Sequence, residues 1–261
     1  MTRNTFLKST LAATGLIAST RSVTGAEKSE GAAREYFEIR KYSLKSVEKL
    51  DLMHAYLKEA AIPALNRLGI RQVGVFMPEV PEAVPVVYIV LRYSSLDQFA
   101  KSTQLLADAT LQQAGADYLG APATDAVYER IESWLTQGIE GMPAMVVPEK
   151  GKQVYQLRIY ESPSEKTGKK KVEMFNIGEL AIFKRCGLAP VFFGETIVGP
   201  QMPNLTYMLV FNDTAAKDAA WNNFRGDPEW AKLKTTPGFT DKEIVSHITN
   251  LVLVPAPYSQ I

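Results

Sequence analysis

Residues 36–42 read YFEIRKY and residues 154–160 read VYQLRIY, one apolar–polar alternation written twice, 118 positions apart. Period-two alternation marks a β-strand with two unlike faces. The same shift carries Arg67-Leu68-Gly69-Ile70 onto Arg185-Cys186-Gly187-Leu188, and Val73-Gly74-Val75-Phe76 onto Val191-Phe192-Phe193-Gly194. One residue later in register, Tyr88-Ile89-Val90-Leu91 meets Tyr207-Met208-Leu209-Val210. Letters and element order agree, so the chain contains an internal duplication.

Each copy reads strand, helix, strand, strand, helix, strand. In the first copy the pattern predicts strands at 35–42, 71–77, 86–93 and 126–135, with helices at 45–67 and 95–118. In the second it predicts strands at 153–160, 189–197, 205–212 and 243–254, with helices at 170–186 and 214–234. The first helix carries Val47, Leu50, Leu57, Ala61, Leu65 and Leu68 at three- and four-residue spacing, a core-facing stripe. Gly69 stops it, Pro63 kinks or breaks it, and Asp227-Pro228 breaks the last helix. The order βαββαβ is the ferredoxin-like unit, whose sheet has helices on one face and is bare on the other. Two copies cover each other. The expected fold is therefore α+β, two tandem ferredoxin-like βαββαβ units packed sheet to sheet as an α/β barrel. Residues 27–135 form the first repeat, 136–152 (rich in Gly and Pro) the linker, and 153–261 the second repeat.

Alternation divides the opening strands into two faces. Phe37, Ile39, Tyr155 and Leu157 are expected to meet the helices. Glu38, Arg40 and Tyr42, with Gln156, Arg158 and Tyr160, then face the space between the sheets. Two arginines and two tyrosines in an enclosed space are candidate ligand-binding residues for a small molecule. The competing readings are structural, an inter-sheet ion pair of a buried arginine beside Glu38 that fixes register, or exposure at a barrel mouth.

The pattern E/Q-[IL]-R-x-Y opening each copy, the helix ending in LGI or CGL, the later Tyr-containing strand and AAWNNFRGDPEW together resemble the NIPSNAP family. The resemblance implies membership of the dimeric α/β-barrel superfamily. Known members include mitochondrial proteins with binding or signalling roles, and exported bacterial proteins.

Charge and chemistry narrow the function. The chain has 29 basic and 28 acidic side chains and no basic stripe with interleaved aromatics, which argues against a nucleic-acid partner. Residues 1–26 pair a positive leader, MTRNTFLK, with a short apolar stretch and a small-residue end, TGA. That is the plan of an export signal peptide, resembling a degenerate twin-arginine signal, and it implies a periplasmic or extracellular protein without a membrane span. Cys186 is the single cysteine, so no intrachain disulfide forms; its apolar-periodic position reads as a small buried hydrophobe. No zinc constellation, nucleophile elbow, phosphate loop or dinucleotide fingerprint occurs, and no metal or cofactor is called for. The lysine cluster EKTGKKK at 165–171 reads as a solvated helix start. Trp221 and Trp230 are expected to pack on the sheet, and Trp134 to seal or cover the barrel.

Three functions fit. The first is binding of a small apolar or amphipathic molecule, or of a protein partner, by an oligomer of identical chains. The second is a cofactor-independent monooxygenase, as in relatives with this fold, with His247, Tyr42 and Tyr160 as the available catalytic groups. The third is haem binding through His54, the histidine of the first helix, which Val172 replaces in the second copy.

Overall fold

In the computed structural model, residues 33–151 and 153–261 are described; the export-signal reading of 1–26 falls outside them. The central strand of each repeat is its opening one. Strand β1 (Tyr36–Leu44) is flanked by β3 (Val86–Tyr93) and β4 (Tyr128–Gly138), with β2 (Gly74–Pro78) beyond β3. Its copy β5 (Val154–Glu161) is flanked by β7 (Asn204–Phe211) and β8 (His247–Pro255), with β6 (Ala189–Val198) beyond β7. Antiparallel pairs β2–β8 and β4–β6 then join the two sheets edge to edge into one closed barrel of order β1-β3-β2-β8-β5-β7-β6-β4. Closure removes the unpaired edges that each half would otherwise expose.

The register corrects one alignment. Arg40 sits opposite Ile89, and Arg158 sits opposite Tyr207. Tyr207 therefore corresponds to Ile89, not to Tyr88, and the shift of 118 holds through the third strand of each copy. Near-continuous apolar runs in these strands offered no alternation to fix the register.

Helix α1 (49–67) and helix α5 (165–185) follow the opening strands, and each contains a π-helical turn, Tyr56–Ala61 in one and Phe175–Glu179 in the other. The turn in α1 lies just before Pro63, which lacks the N–H of a regular ladder; α5 has the same turn without a proline, so proline is not its cause. Gly69 and Gly187 end these helices at φ +78 and +87. The Ile70 N–H donates back to the Leu65 carbonyl, and that of Leu188 to Phe183, the Schellman arrangement. The expected helix at 95–118 is three short helices, α2 (Leu96–Ser102), α3 (Ala109–Ala114) and α4 (Ala116–Leu119). The Asp108 carboxylate accepts from the Leu111 N–H and starts α3 anew,. In the second copy α6 (Thr214–Gly226) and α7 (Pro228–Leu233) are divided at Asp227-Pro228 as read from the sequence. A last short helix, α8 (Asp241–Ile244), delays the final strand to His247.

The two faces of the opening strands are the reverse of the sequence expectation. Phe37, Ile39, Tyr155 and Leu157 point into the barrel, where they pack with Phe76, Phe192, Met208 and Leu253. Phe37 lies 4.9 Å from Phe192, and Phe76 lies 4.8 Å from Tyr155, between ring centroids. Tyr42 instead packs on Met53 and Leu57 of α1, and Tyr160 on Phe175 of α5. A closed barrel of eight strands has little free lumen, so its wall takes the side chains that need no water. The polar positions turn to the helical layer, whose irregular edge leaves room and solvent access.

Candidate functional site

Glu38, Arg40 and Tyr42 are therefore brought together beneath the helices of the first copy, and Gln156, Arg158 and Tyr160 beneath those of the second. The two groups have diverged. In the first, the Arg40 guanidinium donates to both oxygens of Glu38, at 2.6 and 2.9 Å. The same carboxylate accepts from Tyr93 at 2.7 Å and from Ser133 at 2.8 Å. Burial alone would raise the Glu38 pKa, but Arg40 and these donors outweigh it and hold the carboxyl below its usual range,. Tyr56 of the π turn stacks on Tyr118 at 3.8 Å, and Tyr128 meets Tyr42 edge-on. Burial pushes the Tyr56 hydroxyl up to about 12. This site is filled and internally neutral; its ion pair lies within β1, two residues apart, and so does not join the sheets as the structural reading of Arg40 had it.

In the second copy Gln156 replaces the carboxylate. Its amide is committed elsewhere, accepting from the Trp221 indole N–H at 2.6 Å and donating to Asn250 at 2.7 Å. Arg158 stands 4.6 Å under the Trp221 ring and 5.2 Å from that of Tyr160, within cation–π range,. Among the described residues it makes no ion pair, and its buried Nε has no hydrogen-bond partner. Beside it opens a cavity of about 600 Å³ between the sheet and α6–α7, lined by Gln156, Arg158, Lys217, Trp221, Trp230 and Asn250 among others. Behind it, Lys171 and Glu179 form a fully buried ion pair at 3.0 Å across the π turn of α5. Lys171 thus departs from the solvated cluster expected at 165–171, because its position in α5 faces Tyr160 and Phe175 rather than water.

Two further cavities lie elsewhere on the barrel. One, of about 350 Å³, opens at the barrel mouth between Ile39, Lys41, Tyr88, Trp134 and Leu251. It is what remains of the space in which the arginines were expected. Trp134 lines it, with its buried indole N–H unpaired. The larger, about 680 Å³, lies against Tyr155, Asp213, Val254 and Ile261 and holds none of the candidate residues.

His247 is exposed at the start of β8 and borders none of these cavities; the structure does not join it to Tyr42 or Tyr160. His54 of α1 hydrogen-bonds through Nδ1 with the Tyr258 hydroxyl, and burial lowers its pKa. Cys186 is buried, as its periodicity implied. Among the described residues no three metal-ligating side chains converge, and no helix is long and apolar enough to cross a membrane. The sequence reading missed the Gln156–Trp221–Asn250 chain and the Lys171–Glu179 pair. The shift of 118 holds both signals, since it sets Glu38 against Gln156 and Met53 with Ala61 against Lys171 with Glu179.

The NIPSNAP family model matches this chain twice, over residues 37–118 and 155–260. The chain belongs to the NIPSNAP family. Both matched segments of this NIPSNAP chain begin inside an opening strand and run on through the helical layer, so they contain Arg40 and Arg158 alike. Solved structures place the fold with a candidate monooxygenase of Fusobacterium nucleatum, at 11% identity and TM-score 0.58 over 86% of this chain and 93% of that one. A candidate monooxygenase of Lactobacillus acidophilus aligns at 11% identity and TM-score 0.56, over 85% and 94% of the two chains. A NIPSNAP-like domain protein of Burkholderia xenovorans aligns with 42% of this chain and 90% of its own, at 14% identity and TM-score 0.38. At such identities the likeness concerns the fold. No curated protein sequence matches significantly.

Proposed function

We propose that this protein binds a small amphipathic molecule in the second-copy cavity between the sheet and α6–α7. One observation carries the reading: the corresponding space in the first copy is occupied by the Glu38–Arg40 pair and stacked tyrosines, whereas the second holds about 600 Å³ beside Arg158, which has no carboxylate partner and whose Nε is unpartnered. A concave site that sets an aromatic wall, Trp221, Phe224 and Trp230, against polar and charged side chains can hold a molecule with one apolar and one polar end,. Two features support binding over turnover: His247 stands away from the cavity, and the tyrosines of the opening strands lie in tight aromatic packing. The leader at 1–26 supports an exported protein that meets its ligand outside the cytoplasm,.

Titration with the neutral probe N-phenyl-1-naphthylamine tests the cavity. Saturable binding of one probe per chain is expected, lost when Asn222→Trp on α6 fills the cavity and kept in Trp134→Phe at the barrel mouth. Binding that survives Asn222→Trp, or is lost in Trp134→Phe, would place the ligand elsewhere.

A further inference from the structure

We infer that the ligand is an amphipathic organic acid whose anionic head is held by Arg158. The inference rests on the binding reading above and adds the ligand's chemical class.

The duplication supplies the comparison. In the first copy the guanidinium is satisfied by two oxygens of one carboxylate, at 2.6 and 2.9 Å. The second copy keeps the arginine, deletes the carboxylate and leaves a cavity where an acceptor would stand. Gln156 cannot substitute, because both ends of its amide are engaged by Trp221 and Asn250. A partly buried guanidinium that faces no carboxylate and whose Nε lacks a partner carries a desolvation cost that a two-oxygen anion relieves in the planar, bidentate manner of Glu38,.

The surroundings favour the same charge. Arg158, Lys217 and Arg225 line the cavity against Asp218 alone. Lys217 stands 3.2 Å from Asp218 and neutralises it, which leaves two arginines in excess. Lys171 and Glu179 behind the site cancel one another. In the first copy the corresponding pair of Arg40 with Glu38 is neutral. Trp221, Phe224 and Trp230 form the apolar wall on which the remainder of the acid lies.

The test uses two probes with one aromatic skeleton, 1-anilinonaphthalene-8-sulfonate and the neutral N-phenyl-1-naphthylamine, followed by energy transfer from tryptophan. The sulfonate is expected to bind at least about tenfold more tightly, the size of effect a charge-assisted contact in a partly dry site gives. Gln156→Glu recreates the first-copy pair, and the Asn250 amide can turn to donate to the new carboxylate. It should remove the sulfonate preference while the neutral probe binds as before. Arg158→Met should do the same, which keeps the test decisive if one variant fails to melt cooperatively. Lys41→Met, an equal charge loss at the barrel mouth, should leave both affinities unchanged. Equal affinities in the wild type, or a preference that persists in Gln156→Glu and Arg158→Met, overturn the acid and leave the cavity reading standing. Absence of saturable binding by either probe overturns both.

Discussion

Replacing Lys171 with methionine should destabilise the protein severely, and replacing Glu179 with alanine as well should restore most of the loss. Both side chains are about 1% exposed and their charged atoms are 3.0 Å apart. Removing one partner strands a charge in the helical layer, at a cost of about 3–5 kcal/mol. For a domain of this size that corresponds to roughly 6–20 °C in Tm. The first copy shows how to dispense with the pair, because Met53 and Ala61 occupy the equivalent positions and are buried in its own core. The variant Lys171→Met/Glu179→Ala imports that solution and should lie within about 1–2 kcal/mol of the wild type. The single-variant deficit should also depend on pH in a definite direction. Burial raises the Glu179 pKa above 4.5, an effect that Lys171 opposes. A carboxyl with a raised folded-state pKa contributes stability that is present below the unfolded value and lost as pH rises through the folded one. The Lys171→Met deficit should therefore be small near pH 4 and grow as pH rises. Urea unfolding of the four members of the cycle between pH 4 and 8 checks this. Strictly additive losses, or a deficit that is flat with pH, would refute the buried pair.

Glu38→Gln removes an acceptor shared by Arg40, Tyr93 and Ser133, and should cost about 1–3 kcal/mol at pH 7. Because the Glu38 pKa is lowered below 4.5, its contribution is present above that value and lost as pH falls through the folded pKa, so acid unfolding curves of wild type and variant should converge at low pH. Gly194→Ala would set a methyl 2.2 Å from the Thr136 hydroxyl oxygen inside the barrel; overpacking of about 1–3 kcal/mol is expected by thermal melting. Phe76→Ala should open a void against Tyr155 and cost about 3–5 kcal/mol, read as a lower urea midpoint at unchanged slope. His247 is exposed and lines none of the three cavities described, so His247→Ala should leave probe affinity as it is in the wild type.

The duplication, the element order and the glycine helix stops were legible because they are local patterns: 3.6 and 2 periodicities, and residues written twice. The orientation of the opening strands was not. Alternation in YFEIRKY separates Phe37 and Ile39 from Glu38 and Arg40, but it does not say which set faces helices. Amphipathic logic assigns the apolar set to the helices, and it fails here because closure by β2–β8 and β4–β6 makes the other face the drier one. Strand geometry still groups Glu38 with Arg40 and Tyr42, and Gln156 with Arg158 and Tyr160, but the two sets lie under separate helical layers and not in the one shared space expected. Tyr88 and Tyr207 were paired by letter, whereas backbone register paired Tyr207 with Ile89. Lys171 looked solvated because its lysine neighbours are exposed, and only the path of α5 past Tyr160 buries it.

The most direct measurement is a crystal structure of the protein with bound 1-anilinonaphthalene-8-sulfonate. The naphthyl rings are expected against Trp221 and Trp230, with sulfonate oxygens within hydrogen-bond reach of Arg158. Density for the probe in the barrel mouth beside Trp134, or against Tyr155 and Ile261, with the α6 cavity holding only solvent, would contradict it.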